Sequence, residues 1–240
     1  MNAAATSLWI TDYYNHRIRH VSLTSGIITT VAGNGVAVAV HADVANATSS
    51  TVVTPHFLAL HEPTNRLYFT EAQAHRVRYL ALMNGTLHTV LGNTTSGMWG
   101  DGGFARAAGT IFPSFVFVEP LASGLPQVWV VDNVRTRIRR INAQGTICTV
   151  LGDAVNGTAP CSDRWRSSIQ GTSYYRVVVD AESALWAVTA ETSSVLRITA
   201  DGNVSTIAGT GVAGWSGDFG PASSARLHYP LDVWVSPSLK

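Results

Sequence analysis

The feature that most constrains this chain of 240 residues is an internal repeat that occurs four times. Each copy opens with an apolar run that ends in a polar residue, and the copies are LWITD at 8–12, LYFTE at 67–71, VWVVD at 128–132 and LWAVT at 185–189. Two more β-rich segments follow each run, the second starting at a turn glycine, as in GIITTVAG at 26–33. A fourth apolar segment comes after a long loop, and its copies are PHFLAL at 55–60, PSFVFV at 113–118, YYRVVV at 174–179 and PLDVWV at 230–235.

Four short strands within a period of 57–61 residues predict an all-β fold, a β-propeller of four-stranded antiparallel blades. A single blade cannot bury both faces of its sheet, so neighbouring blades must pack face to face. We expect one domain over 1–240, with repeats near 8–60, 67–118, 128–179 and 185–235. Because the chain starts at the second strand of blade one, we expect 230–235 to complete that blade as its innermost strand, which gives sixteen strands.

Three segments resemble NHL-repeat β-propellers: D-x-x-N-H-R-I-R at Asp12–Arg19, T-V-A-G at Thr30–Gly33 and G-W-S-G-D-F-G-P-A at Gly214–Ala222. The resemblance covers nearly the whole chain, although the glycine-rich loop is clear only at Gly97–Ala107 and Gly214–Ala225. Known members of this family more often have six blades. The four repeats therefore predict either a closed four-bladed ring or an arc of a larger propeller, for example a six-bladed one.

In three repeats a carboxylate ends one strand and an arginine opens the next strand, five residues later across a turn. The three predicted structural pairs are Asp12 with Arg17, Glu71 with Arg76, and Asp132 with Arg137. The fourth repeat has Thr189 and Ser194 at these positions, so acid and base are lost together, as a structural pairing predicts. The alternative is a basic ridge that binds an anion, formed with Arg19, Arg78 and Arg139 on the same sheet face.

Composition and charge argue against several classes of partner. The net charge is +1 and charged residues make up 13% of the chain, so no basic surface favours nucleic acid. No apolar stretch reaches the roughly 18 residues that a membrane helix needs, which predicts no membrane insertion in this segment. No phosphate loop, dinucleotide fingerprint or metal-ligand spacing is present, so we expect no cofactor and no metal.

The cysteines and the N-glycosylation sequons give information on the cellular compartment of the protein. Cys148 and Cys161 are a candidate local disulfide. Asn-X-Ser/Thr sequons are more frequent than chance predicts, and these candidate glycosylation sites are Asn46, Asn84, Asn93, Asn156 and Asn203. They favour an extracellular protein or the ectodomain of a surface protein, with an export signal outside this segment. The alternative is that Asn-Gly-Thr turns create sequons for structural reasons, as at Asn84 and Asn156.

Candidate binding residues come from the first strand of each blade, because these strands line the channel of a propeller and ligands dock at its rim. The third positions of these strands are Phe57, Phe115, Arg176 and Asp232, and the preceding positions include His56, Ser114 and Tyr175. Arg176 and Asp232 either pair with each other or face a polar ligand. The glycine-rich loops add Trp99 and Trp215 as rim candidates, while burial is expected for Phe104, Phe112 and Phe219.

The sequence contains no catalytic motif, so the leading hypothesis is a non-catalytic scaffold that recognises a protein or glycan partner through its rim loops. These loops are 34–54, 93–112, 153–173 and 210–229. A metal-dependent lactonase-like or lyase-like enzyme is the first alternative, because such enzymes are known among related six-bladed propellers and His56 and Asp232 are placed to line the channel. A structural subunit of a larger assembly is the second alternative.

Overall fold

The computed structural model describes residues 5–39, 43–119, 124–132, 136–152, 173–199 and 201–236. In these residues it shows an all-β fold of fifteen strands in four antiparallel sheets, each of which is one blade of a β-propeller. Strands are numbered in chain order, and within a blade each strand pairs with the next one along the chain. The predicted fold class is therefore confirmed.

The strand bounds follow the repeat. Blade one has β1 (Ser7–Asp12), β2 (Arg17–Ser22) and β3 (Ile28–Ala32). Blade two has β4 (Pro55–His61), β5 (Arg66–Glu71), β6 (Arg76–Ala81) and β7 (Thr86–Leu91). Blade three has β8 (Phe115–Glu119), β9 (Gln127–Asp132), β10 (Arg137–Ile141) and β11 (Ile147–Gly152). Blade four has β12 (Tyr174–Val179), β13 (Leu185–Thr189), β14 (Ser194–Ile198) and β15 (Val204–Ala208).

The hydrophobic core lies between the blades. Successive side chains of a strand point to opposite faces of the sheet, so a strand can contribute side chains to the interfaces with both neighbouring blades. In β5, Leu67 and Phe69 pack in a cluster with Ile18 of blade one, while Tyr68 packs in a cluster with Val116 of blade three. A third cluster, which includes Trp129 and Tyr174, joins blades three and four. Burial on both faces explains why these strands are nearly continuous apolar runs.

The expected completion of blade one is wrong. Blade one has three strands with β1 at its edge, and 230–235 contain no strand in the structure. This segment lies beside β12, where Arg176 and Asp232 form an ion pair of 2.7 Å, one of the two alternatives predicted for these residues. It thus follows blade four in the way that β4, β8 and β12 follow the preceding blades. The described residues form an open arc.

Short 3-10 turns connect several strands, and each is three residues long. No helix in the described ranges is long and apolar enough to cross a bilayer. His16 and His75 each end such a turn in the left-handed conformation, with φ of 53° and 50°. Their Nδ1 atoms accept the backbone N–H of Thr54 and Phe112, at 3.2 Å and 3.3 Å, so these histidines tie a turn to the loop that leads into the next blade.

Candidate functional site

The first group of candidate residues is the carboxylate–arginine pairs, which lie at the junctions between blades. Glu71 is fully buried, and its Oε2 and Oε1 lie 2.6 Å and 2.9 Å from Nε and Nη2 of Arg76. The Oε1 atom also accepts the backbone N–H of Val53, at 2.6 Å. Val53 belongs to the loop that enters blade two, so one carboxylate joins its own blade to the chain arriving from blade one.

Asp132 repeats this arrangement in blade three. Its Oδ2 atom accepts from Nη2 of Arg137 at 3.0 Å and from Nη1 of Arg139 at 3.2 Å. Its Oδ1 atom accepts the backbone N–H of Ile111 at 2.9 Å and the hydroxyl of Thr110. Both carboxylate oxygens are therefore satisfied, as burial of a charge requires.

The second arginine of each strand also serves the junction. Arg139 donates to Asp101 at 2.7 Å and to the carbonyl of Gly109 at 2.7 Å, and Arg78 donates to the carbonyl of Thr51 at 3.2 Å. Burial alone would raise the pKa of Asp101, but the charges of Arg139 and Arg137 and hydrogen bonds from Thr149 and Arg139 together hold that pKa below its usual range. All three nitrogens of the Arg139 guanidinium and Nη1 of Arg78 donate to protein groups inside the structure, which argues against the anion-binding ridge.

Blade one departs from the predicted pairing. Asp12 contacts Nη1 of Arg19 at 3.4 Å rather than Arg17, which donates to the carbonyls of Asn15 and Asn34. The predicted pair of Asp12 and Arg17 is therefore wrong. The reason is position: no loop from a preceding blade covers Asp12 in the described structure, so its carboxylate is partly exposed and turns towards Arg19.

Blade four replaces the ionic network by neutral hydrogen bonds. The Thr189 hydroxyl donates to the carbonyl of Ser194 at 3.0 Å and accepts from the hydroxyl of Thr192 at 2.7 Å. Thr189 and Ser194 are both buried. Because the burial of neutral groups costs less than the burial of charges, this junction has no need of a counter-ion.

The second group of candidate residues meets at the channel. A cleft of about 310 Å³ is lined by six of the seven residues predicted from the innermost strands, all except Phe115, and by Leu231: His56, Phe57, Ser114, Tyr175, Arg176, Leu231 and Asp232. They come from the starts of β4, β8 and β12 and from the segment after blade four. The volume is at the lower end of the range for small-molecule sites, about 300–1,000 Å³.

Aromatic rings form one wall of this cleft. The ring centroids of His56 and Phe57 are 4.8 Å apart, and those of Phe57 and Phe115 are 5.1 Å apart. The Arg176 guanidinium lies over the Phe115 ring, at 5.1 Å from its centroid. The hydroxyl of Tyr175, which also lines the cleft, lies 2.5 Å from the hydroxyl of Tyr229. Tyr229 was missed by sequence reasoning, although it precedes Pro230 as Phe112 precedes Pro113.

Backbone irregularities place these side chains at the mouth. The register of β4 against β5 shifts between Pro55 and Leu58, and that of β12 against β13 shifts between Tyr174 and Val177. Both shifts fall on the candidate residues. Such bulges re-aim side chains and end strand pairing, and they are frequent beside binding sites.

The polar atoms of the cleft have local partners but remain accessible. Arg176 and Asp232 pair at 2.7 Å, with their side chains 27% and 61% exposed. The Nδ1 atom of His56 lies 3.3 Å from the carbonyl oxygen of Ser114. Within the described ranges, no three His, Cys, Asp or Glu side chains group as metal ligands.

The two tryptophans are not brought to this cleft. Trp99 packs against Gly97 and Gly109 in the glycine-rich loop, while Trp215 is 92% exposed. The expected burial of three phenylalanines is also wrong, because Phe104, Phe112 and Phe219 are all exposed.

The remaining candidate sites concern covalent modification. Cys148 is disulfide-bonded in the structure, and Cys161 lies outside the described residues. Asn156 also lies outside them, whereas the other four sequon asparagines are exposed: Asn46, Asn84, Asn93 and Asn203. Three of these four, Asn46, Asn84 and Asn93, accept the backbone N–H two residues later through Oδ1, which is the geometry of an Asx turn.

Comparison with solved structures identifies the fold. An auxiliary nutrient binding protein from Bacteroides thetaiotaomicron superposes with a TM-score of 0.58 at 17% identity, over 95% of this chain and 50% of that one. A nidogen/laminin complex gives 0.54 at 15% identity, over 86% of this chain and 62% of that one. Virginiamycin B lyase from Staphylococcus aureus gives 0.50 at 15% identity, over 83% of this chain and 51% of that one.

These neighbours are β-propeller proteins, so the comparison supports the fold and no more at such low identity. This chain spans about half to three fifths of the length of each. No protein-family model matches the chain, and no curated sequence matches it.

Proposed function

We propose that this chain is a non-catalytic recognition module of the NHL type that binds a glycan of its partner in the channel cleft. The observation that carries the proposal is the cleft itself, which is lined by the aromatic side chains of His56, Phe57 and Tyr175 and by an accessible ion pair, Arg176 with Asp232. Aromatic faces pack against the apolar faces of sugar rings, while an arginine and a carboxylate together donate to and accept from hydroxyls. The NHL assignment is supported by the motif at Asp12–Arg19 and by the propeller fold.

The position of the cleft fits recognition through rim loops. His56, Ser114 and Tyr175 stand at or next to the starts of β4, β8 and β12, so the described ends of the loops that enter β4 and β8 lie beside the mouth. Loops 34–54, 93–112 and 210–229 can therefore extend the contact beyond the cleft. Most of loop 153–173 lies outside the described residues. Loops carried on a rigid scaffold are the usual place for binding residues.

A glycan array with the purified protein tests the proposal. We expect the parent to bind a subset of glycans and Arg176→Met to lose at least about tenfold in affinity. Arg197→Met is the matched control, because Arg197 forms another exposed pair, with Glu182 at 2.8 Å, outside this cleft. Equal binding by the parent and Arg176→Met would contradict the proposal. If the parent binds immobilised protein but no glycan, the ligand of the cleft is a peptide segment rather than a glycan.

A metal-dependent enzyme is the second candidate, and it rests on one observation. His56 and Asp232 line the same cleft, and virginiamycin B lyase is among the structural neighbours. Two ligands are fewer than a catalytic metal site commonly uses, and Asp232 is already paired with Arg176. Metal analysis of the purified protein distinguishes the enzyme from the non-catalytic binding module. A stoichiometric cation that His56→Ala removes would favour the enzyme.

We also propose that the protein works outside the cell. The exposure of Asn46, Asn84, Asn93 and Asn203 and the disulfide bond of Cys148 support this, because disulfides persist in oxidising compartments. The Asx turns are an alternative, structural reason for these sequons. Mass spectrometry before and after glycosidase treatment of secreted protein distinguishes glycosylation from a purely structural role. Glycans at these asparagines support the proposal, and their absence from every one contradicts it.

A further inference from the structure

The two ends of the arc carry complementary halves of one blade junction. At both filled junctions whose loops are described, the loop leaving one blade pairs with the outermost strand of the next. The N–H of Val44 donates to Leu87 and that of Ala47 to Gly85, at 3.2 Å and 2.8 Å. In the next repeat Gly102 donates to Ile147 and Ala105 to Gly145, at 2.8 Å and 2.9 Å.

The last loop has the same conformation as the loop of the filled junction, but no blade in the described part of the chain packs against it. Gly92 donates to Ala105 and Gly209 to Ala222, at 3.2 Å and 3.1 Å, and the turns at Gly100 and Gly217 have φ of 99° and 102°. The matching positions are 117 residues apart, so Phe219 corresponds to Gly102 and Ala222 to Ala105. The N–H groups of Phe219 and Ala222 have no partner among the described residues.

The first blade offers the matching edge. Gly26 and Ile28 correspond to Gly85 and Leu87, which receive the loop in blade two. They lie on the exposed edge of β3, and Ile28 is 48% exposed. At the inner side β1 has an open edge, where Leu8 is 48% exposed. The segment 230–235 exposes Leu231 and Trp234, and its counterpart 55–60 pairs with β5, which corresponds to β1.

The charges at the two ends are complementary as well. At the filled junction the loop carboxylate of Asp101 pairs with Arg139 of the next blade, at 2.7 Å. The counterpart of Asp101 in the last loop is Asp218, which is exposed and has no partner in the described structure. The counterpart of Arg139 in blade one is Arg19, whose only carboxylate contact among the described residues is Asp12 at 3.4 Å. Each end thus holds one half of the Asp–Arg pair.

From this match we propose that the docking edge of 209–235 binds blade one of a second copy of this chain, head to tail. Asp218 of one copy then pairs with Arg19 of the other, and 230–235 become the missing innermost strand beside β1. The contact is heterologous, so copies close into a ring or continue as an open chain, depending on the curvature of the arc. The intramolecular form of this contact does not occur among the described residues, because β1 is at the edge of its sheet and 230–235 contain no strand.

Sedimentation velocity from about 1 to 100 μM, a range that captures micromolar association, tests this surface. We expect the parent to gain mass with concentration, and Asp218→Arg and Arg19→Asp each to remain monomeric. An equimolar mixture of these two variants should recover the larger species, because opposite charges then face each other at every junction. Glu62→Arg makes the same change of charge at an exposed position of blade two and should associate like the parent.

Recovery by mixing also separates loss of the contact from loss of folding, since an unfolded Arg19→Asp variant could not rescue its partner. A parent that stays monomeric over the whole range would overturn the proposal. An Asp218→Arg variant that associates like the parent would overturn it too, because association would then use another surface. Glycan binding is measured separately in the cleft, so failure here leaves the proposed function standing.

Discussion

The loop over 97–109 and the loop over 214–226 have the same backbone hydrogen bonds but opposite environments. Gly103 donates to Gly100 and Gly220 to Gly217, both at 3.0 Å. Ala105 is 1% exposed under blade three, whereas its counterpart Ala222 is exposed. The loop conformation is therefore local, set by glycines and the 3-10 turn on its own blade. The following blade adds the burial, the strand pairing and the counter-ion.

The largest expected effect comes from removing the carboxylate of a filled junction. Asp132→Ala leaves Arg137 buried without its counter-ion and leaves Arg139 with Asp101 alone, so we expect a loss of about 3–5 kcal/mol in the free energy of unfolding. Chemical denaturation measures this loss. The control Asp218→Ala removes an exposed carboxylate and should leave the midpoint unchanged. Similar losses in both variants would contradict the contrast between filled junction and open end.

A smaller loss is expected when blade three receives the neutral residues of blade four. The triple change Asp132→Thr, Arg137→Ser and Arg139→Leu removes the three fully buried charges together, and Asp101, which loses its arginine, has a side chain that is 14% exposed. We expect it to cost less than Asp132→Thr alone, because burying an unpaired charge costs more than losing a charged pair. Denaturation of the single and triple variants gives the comparison. A triple variant less stable than Asp132→Thr would contradict this expectation. It would show that the ionic network contributes stability beyond the balancing of charges.

At the open end, the ion pair between Arg176 and Asp232 should matter little for stability. Both groups are partly exposed, and exposed pairs contribute roughly 0–1 kcal/mol. We expect Arg176→Met to unfold within about 1 kcal/mol of the parent while it loses glycan binding. Thermal unfolding checks the first half of this statement. A loss as large as that of Asp132→Ala would show that the pair is structural rather than available to a ligand.

The smallest effect concerns His75 at the junction of blades two and three. Burial lowers the pKa of His75, and its Nδ1 accepts the N–H of Phe112 in the neutral form. The stability that neutral His75 contributes is fully present above the pKa of this histidine in the unfolded chain, about 6.5. It is lost as pH falls through the lower pKa of the folded state, because the unfolded chain takes up the proton first. Denaturation midpoints between about pH 7 and pH 5 should fall more in the parent than in His75→Gln. Parallel pH profiles would contradict this.

Local patterns in the sequence were enough to predict most of the strands. The alternation of LYFTE and the glycine of GTLHTVLG define β5 and β7 within a residue or two. The pairing of Glu71 with Arg76 could also be predicted from the sequence, because the two residues flank one short turn and are therefore close in space. The channel residues came together in one cleft because the repeat fixes which strand of each blade is innermost.

What the sequence could not predict depends on neighbours beyond the repeat. The match of 230–235 to the missing strand of blade one was correct as a pattern, but the arc does not bring them together within the chain. Asp12 fails to pair with Arg17 because no preceding loop covers it. Trp99 and Trp215 differ because they are not equivalent: Trp215 corresponds to Met98, and Ser216 to Trp99.

Amide hydrogen exchange tests the central contrast most directly, in the Asp218→Arg variant, for which we expect a monomer. The account predicts slow exchange at Gly102 and Ala105, whose N–H groups bind blade three, and nearly unprotected exchange at Phe219 and Ala222. Equal protection at the two sets of amides would contradict an open arc with one filled and one empty edge.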